Sequence, residues 1–527
     1  MSETSTSTSK AIVAECTVLN LTPPSKVSTG ICFLDHMIDQ LTSHGQLGVA
    51  LRCGIINAEP SSASGKRAAP EAPTKFFAPA QDYATGLDSR PHDRDIFIAA
   101  GGALGAGLKR VVEEVLGARC SRGADSSPTT AVFCCPLDEA FAECSINFHA
   151  GHNKTGTCAA KLEPYGLYAG SATGRKWVGR YRTELTPLFW SALAASLGCE
   201  LSLKRVRGKN AHHVLESTFK SFARGFRAAL DQLADGKNHG CAKPNAPPPP
   251  PPSLAGLPPS QPRKAERRRA TKETTIEVRV DLDKPFLHSD APAGGDAAWS
   301  GDVMTPTKLR ASVQQTERIR TGIVLLDELL ISLALSAGIE IIVHCDGDRH
   351  IDDHHTAEDV AITLGQCLHE ALGDKAGLAR MGCAEGSHEA SGCTVRAVID
   401  LSNRPHFESD LPLDEEYVGG GPEEEVSGDR NGEGTVVVEG MPAPVDALCG
   451  GMLSCEMLHH VFDSLTLETR ATAHLELMHE ASPPKRGHTL GVAMAAASAY
   501  GAALARAIRV DPRRRGAVAS SKGTLSK

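Results

Sequence analysis

Apolar residues recur along this chain with two different periods. In CELSLKRVRG (Cys199–Gly208) and IEIIVHCDGD (Ile339–Asp348) they fall at close to every second position, the spacing of a strand with one buried face. In NAHHVLESTFKSFARGF (Asn210–Phe226) and HIDDHHTAEDVAITLGQCLHEALGD (His350–Asp374) they return every three to four positions, the spacing of an amphipathic helix. Strand-type and helix-type stretches alternate throughout, which predicts an α+β chain with helices packed on sheets. Both helical stretches open on the same five-residue pattern, HHxxE.

The chain is also written twice. TGICFLDHMIDQL (Thr29–Leu41) matches TGIVLLDELLISL (Thr321–Leu333), and TELTPLFWSAL (Thr183–Leu193) matches CEMLHHVFDSL (Cys455–Leu465). Between the copies runs KPNAPPPPPPSLAGLPPSQPRKAERRRA (Lys243–Ala270), whose proline run favours an extended conformation with no apolar face to bury. The division that follows is a first copy over 1–236, a linker over 237–268 and a second copy over 269–527. Two further stretches, Asn57–Gly86 and Asp414–Thr435, are rich in Pro, Gly, Ser or Glu and predict long, poorly ordered surface insertions.

Composition narrows the function classes. At 527 residues the chain is long enough for two or three cores, and a net charge of −8 with pI near 6.2 offers no basic excess for nucleic acid. No uninterrupted apolar run reaches the ~18 residues that suggest a membrane span. The sixteen cysteines are scattered without a CxxC pair, and the N-terminus lacks an apolar signal core, so reduced thiols and a cytoplasmic location are expected. The Ser/Thr-rich start raises plastid import as the alternative, with Glu3 and the absence of arginine against it.

HHxxE on a helix has a specific geometry. His354 and Glu358, four residues apart, share a face, while His355 points roughly 100° around the axis. Two divergent imidazoles and a carboxylate suit a two-metal site better than one tetrahedral ion. The competing reading is a capped helix start, with Asp352, Asp353 and Thr356 as N-terminal residues. Two copies in matching contexts favour metal.

FLDHMIDQLTSHG, DDHHTAEDVAITLGQCLHEALGD, GKNAHHVLESTFKSFAR and the terminal SSKGTL together resemble the imidazoleglycerol-phosphate dehydratase family. The resemblance covers both arms outside the linker and insertions, as two units fused head to tail. It implies that each unit has two similar halves, with a helical layer between two sheets, in the ribosomal protein S5 domain 2-like class. It also implies two Mn(II) ions per complete site and assembly into a large closed homo-oligomer. The family's metal ligands are the histidine of LDHM, a first HHxxE, a histidine in a second LDHM-like helix, and a second HHxxE.

Transferred position by position, the ligands divide between the arms. The first arm keeps His36, His212, His213 and Glu216, but has HDRDIFIAAGGALG for the first HHxxE and Leu188 for the second single histidine. The second arm keeps His354, His355, Glu358 and His460, but has Glu328 for the LDHM histidine, and Gly487 and Gly491 around a remaining His488. Each of the eight positions survives once, which predicts one dinuclear site carried on two repeats. The resemblance further assigns Gln40, Lys220, Arg380, Arg404, Ser520 and Lys522 to substrate binding, chiefly to a phosphate. Glu273 in ATKETTIEV and Glu15 in VAECTV are the candidate acid and base, with the roles open between them. The implied function is a carbon–oxygen lyase of histidine biosynthesis acting on imidazole glycerol phosphate. The alternatives are a non-catalytic metal-binding scaffold that co-assembles with an intact dehydratase and, more remotely, a metal-dependent hydrolase.

Overall fold

A computed structural model describes residues 4–9, 12–20, 25–56, 74–79, 92–120, 129–149, 156–166, 174–235, 262–286, 318–348, 353–419, 453–480, 488–514, 517–518, 520 and 525. They fall into two compact units, in the main Met1–Cys241 and Ala242–Val518. Each unit is built from two halves with one recurring order: a strand hairpin, a third strand, a short helix, a fourth strand and a long helix.

In the first unit, the first half runs β1 (Thr4–Ser9), β2 (Ile12–Asn20), β3 (Lys26–Ser28), α1 (Cys32–Gly45), β4 (Gly48–Ile56), β5 (Thr74–Phe76) and α2 (Asp93–Cys120). Its second half runs β6 (Thr129–Leu137), β7 (Ala140–Phe148), β8 (Thr157–Lys161), β9 (Trp177–Val178), β10 (Tyr181–Arg182), α3 (Thr186–Leu197), β11 (Glu200–Arg207) and α4 (Ala211–Asp235). The second unit repeats the order. Its first half is β12 (Lys264–Ala270), β13 (Thr274–Asp281), β14 (Ile319–Arg320), α5 (Val324–Ala337), β15 (Glu340–Gly347) and α6 (His354–Leu372). Its second half is β16 (Met381–His388), β17 (Cys393–Asp400), β18 (His406–Ser409), α7 (Cys455–Glu468), β19 (Thr472–His479) and α8 (His488–Ala507).

Every half makes the same sheet. The hairpin strands pair antiparallel, the fourth strand adds antiparallel to the second, and the third adds parallel to the fourth, as in β12-β13-β15-β14 and β16-β17-β19-β18. The third strand and the fourth must be parallel because a helix crosses between them. In each half the long helix packs on its own sheet: α2 on β1 and β2, α4 on β6 and β7, α6 on β12 and β13, α8 on β16 and β17. The short helix of each half packs on the long helix of the other half: α1 on α4, α3 on α2, α5 on α8, α7 on α6. Helices therefore form the layer between the two sheets of a unit, in the α+β arrangement the sequence implies.

Local chemistry fixes the helix starts. At α1 the Thr29 amide and hydroxyl both donate to Asp35 Oδ1 at 2.6 Å, and at α5 Thr321 does the same to Asp327 at 2.8 and 2.7 Å. Gly30 and Gly322 precede them with the same φ of 84°, a conformation glycine adopts without steric cost. The TGIxxLD match is thus one buried turn made twice, and it puts His36 and Glu328 at equivalent positions.

Four sequence expectations meet the structure here. The second unit starts earlier than the 269 boundary, because β12 takes in Lys264–Ala270 from the stretch assigned to the linker. No residue of β12 is fully buried; as an edge strand it is held by its ladder to β13 and by surface pairs such as Arg268–Glu277 at 3.3 Å. In the first insertion, Thr74–Phe76 forms β5 on the edge of β4, while most of both insertions lies outside the described residues. The described cysteines are free thiols. α8 is long and apolar enough to cross a membrane by length and composition alone, but it is largely buried as the core helix of its unit.

Candidate metal centre

The exchange of short helices between halves decides which side chains meet. α1 brings His36 onto α4, where His36, His212 and Glu216 offer ligand atoms all within 4.8 Å of one another. His212 Nε2 lies 2.9 Å and His36 Nε2 3.9 Å from Glu216 Oε2. In the second unit α7 brings His460 onto α6, and His354, Glu358 and His460 form the matching group. There His460 Nε2 lies 2.9 Å from Glu358 Oε1 and His354 Nε2 3.5 Å from Glu358 Oε2. Atoms bound at ~2.1 Å to one ion lie about 3–4 Å apart, so both donor sets fit a shared divalent cation.

Contacts across the halves hold these helices in place. Arg227 of α4 donates to the last carbonyls of α1, Gly45 O at 2.9 Å and Gln46 O at 3.1 Å, where the helix dipole favours a cation. Within the second half, Trp190 of α3 also sits 4.6 Å, centroid to centroid, from Phe219 of α4. In the second unit Asp353, just before α6, accepts the Ser454 amide at the start of α7 at 2.7 Å. That bond sets His354 beside His460.

The electrostatics keep the first group ready for a cation. Burial pushes the Glu216 carboxyl up, but hydrogen bonds from His212 and Lys220 together with the Lys220 charge outweigh it and hold the acid well below its usual range. Lys220 Nζ is 2.7 Å from Glu216 Oε1, one helical turn away. Burial pushes the His36 imidazole down, partly offset by Glu216, so its nitrogen keeps a lone pair at neutral pH.

The second histidine of each motif points elsewhere, as its position on the helix requires. His213 Nδ1 lies 2.7 Å from Glu139 Oε2 in the turn between β6 and β7, and its Nε2 lies 3.8 Å from Asp138. His355 Nδ1 lies 3.1 Å from Asp348 Oδ2 at the end of β15, and its Nε2 lies 3.9 Å from Glu273 in the turn between β12 and β13. Burial raises the Glu139 carboxyl, but His213 and the amides of Asn210 and Lys209 hold it down at about 2. Sequence reasoning missed Asp138, Glu139 and Asp348; the signal was acidic residues in a hairpin turn and at a strand end, both next to a motif helix.

The remaining candidates are placed as follows. Glu15 lies inside β2, opposite Arg52 and paired with it at 2.7 Å; the same register places Glu277 opposite His344. Arg380 is buried and bidentate on Asp400, at 2.6 and 2.7 Å. The Arg404 backbone ties Ser402 to Thr472, and Gln40 is buried on α1. Ser520 is half-buried, and Lys522 lies outside the described residues.

In the other short-and-long helix pair of each unit, the positions that match these groups carry mostly different residues. A Cβ on Gly105 would stand 2.3 Å from Leu193 O, and one on Gly365 2.8 Å from Leu465 O, so α2 on α3 has the register of α6 on α7. That register puts Arg94, Asp95 and Ile98 where α6 has His354, His355 and Glu358, next to Leu188 in place of His460. Asp95 accepts the Ser9 hydroxyl at 2.8 Å instead. In the second unit Glu328 on α5 and Gly491 on α8 stand where the first unit has His36 and Glu216. A Cβ on Gly491 would be 2.0 Å from Ser391 Oγ, so the β16–β17 turn has filled the space of the missing glutamate.

Comparison with known proteins follows the same division. The family model described as imidazoleglycerol-phosphate dehydratase matches residues 97–226 and 321–428, one stretch in each unit. The imidazoleglycerol-phosphate dehydratase of Pyricularia oryzae is 34% identical over 268 residues, covering 51% of this chain and 99% of that protein. The chain belongs to the imidazoleglycerol-phosphate dehydratase family. Dehydratases of Neurospora crassa (34% identical, 50% of this chain, 96% of that protein) and Cereibacter sphaeroides (32%, 50%, 100%) match to the same extent. Each dehydratase is thus matched over nearly its full length by about half of this chain. A crystal structure of the dehydratase from Staphylococcus aureus aligns at 18% identity over 47% of this chain and 99% of its own, with a TM-score of 0.30.

Proposed function

We propose that the chain dehydrates imidazole glycerol phosphate to imidazole acetol phosphate, as a hydro-lyase of histidine biosynthesis with one dinuclear Mn(II) site to which both units contribute. One observation carries this reading. Each unit retains one complete group across its halves and has lost the other, and the retained groups are of opposite kinds: short helix of the first half with long helix of the second in one unit, the reverse in the other. Unconstrained decay has no reason to leave complementary wholes.

With His213 and His355 the ligands number eight, which would give four to each of two ions and, were each octahedral, leave about two positions for substrate. Bound there, such ions supply Lewis acidity that favours deprotonation of a coordinated ring nitrogen. The reaction itself takes one proton from carbon, returns one to the departing hydroxyl, and leaves an enol that becomes the ketone. Glu273 faces His355 Nε2 from the β12–β13 turn and is suited to hold or move one of these protons. Arg404, Ser520 and Lys522 are assigned to the substrate phosphate, and Gln40 to substrate binding. Lys220 and Arg380 join them only by sharing their cationic groups with Glu216 and Asp400.

The test is turnover of imidazole glycerol phosphate by the purified full chain with added Mn(II). Formation of imidazole acetol phosphate is expected; full metal loading without turnover would reduce the chain to a metal-binding scaffold.

A further inference from the structure

His213 and His355 occupy equivalent places on their helices, and each has one close carboxylate and one distant one. The close carboxylate is at Nδ1 in both: Glu139 at 2.7 Å and Asp348 at 3.1 Å. The distant one is at Nε2, Asp138 at 3.8 Å and Glu273 at 3.9 Å, too far for a direct hydrogen bond. The close partners come from different elements, a hairpin turn in one unit and a strand end in the other. Simple repetition of the fold would have supplied the same element twice, so what is kept is the nitrogen and not the source of its partner.

Both close carboxylates are themselves held. Glu139 Oε1 accepts the amides of Lys209 at 3.2 Å and Asn210 at 2.8 Å, on the loop that leads into α4. The Asp348 amide donates to Glu273 O at 3.0 Å, which ties the two sides of the His355 ring together. His488, the counterpart of His213 in the motif that lost its partners, has the opposite arrangement. Its close carboxylate, Asp414 at 3.1 Å, is on Nε2, while Glu415 stands 3.9 Å from Nδ1.

We infer that Glu139 and Asp348 are positioning residues, which accept Nδ1–H of His213 and His355 and so leave Nε2 of each ring as the metal-donor nitrogen. A carboxylate can only accept, so the ring nitrogen it contacts must carry the hydrogen, and a neutral imidazole then has its lone pair on the other nitrogen. The inference rests on the dinuclear reading for its purpose but not for its geometry.

The experiment uses the full chain with Glu139→Ala, Glu139→Gln, Asp348→Ala and Asp348→Asn, alone and combined with His213→Ala or His355→Ala. By equilibrium dialysis, each alanine variant should bind Mn(II) about 10–100-fold more weakly, and the amides, which still offer an accepting oxygen, should recover most of the loss. Glu139→Ala should add nothing in the His213→Ala background; full additivity would mean a merely structural role and overturn the inference. Independently, 15N spectra of the metal-free chain should show the signals lost in His213→Ala as the Nδ1–H tautomer, and Glu139→Ala should abolish that preference. An Nε2–H tautomer in the unsubstituted chain would overturn the inference. Failure of that chain to bind Mn(II) would overturn the dinuclear reading, while the tautomer spectra still decide this one.

Discussion

Glu358 and His460, 102 positions apart, meet at 2.9 Å because the short helix of one half packs on the long helix of the other. His36 and Glu216 meet in the same way in the first unit, at 3.9 Å. Each group has three ligands, so metal loading should give about two divalent ions per chain by elemental analysis. A value close to four would require complete groups around Asp95 and Glu328, where Leu188, Ile98 and Gly491 offer no ligand atom.

His213→Ala and His355→Ala lie in different units yet, on the proposed dinuclear reading, should each lower turnover by orders of magnitude, because each would remove an imidazole from the same catalytic unit. Their combination should be scarcely worse than the poorer single variant. Two independent sites would instead leave each single variant with roughly half the activity. His488→Ala, which removes a partly buried side chain in contact with Asp414 and outside both ligand groups, should lower Tm and leave turnover intact.

Gly491→Ala should have the unusual sign of a helix glycine that cannot be replaced. Alanine in a helix normally gains ~1 kcal/mol over glycine, but here its Cβ would meet Ser391 Oγ at 2.0 Å and cost about 1–3 kcal/mol. Gly117→Ala on α2, where a Cβ meets nothing within 4 Å, is the control and should raise Tm. Thermal unfolding of the two variants side by side checks the contrast.

Glu139 gives a pH signature. Its carboxyl is held at about 2 in the fold against an ordinary 4.5, so the unfolded chain binds more protons between these values. Its stabilising contribution is complete above about 4.5 and is lost as pH falls toward 2. Denaturant unfolding of the metal-free chain should therefore show Glu139→Gln less stable than the parent at neutral pH, with the gap closing through that window. A gap that stayed constant with pH would sink the assignment.

The repeat and the helix class of both HHxxE motifs were legible in the sequence because they are carried by spacing along one strand or helix. β12 was not, since KAERRRA buries no residue completely and so shows no apolar alternation; its pairing comes from its neighbour. Glu139 and Asp348 were hidden for a different reason. Each lies on a turn or strand end remote in sequence or unrelated in pattern to the histidine it holds, and only the packing of hairpin against helix start brings them together. The exchange of short helices between halves was likewise a property of tertiary packing alone.

The filled space beside Gly491 makes the partition of this chain a ratchet. Position 328 still rides on an intact Thr321–Asp327 turn, so a histidine could return there without rebuilding α5. Position 491 offers no such return, because Ser391 would have to move before any side chain could enter. A histidine at 328 alone would therefore not complete the second unit's other group, because position 491 stays closed. On the proposed shared site, the second arm would stay tied to the first for as long as Ser391 holds that space.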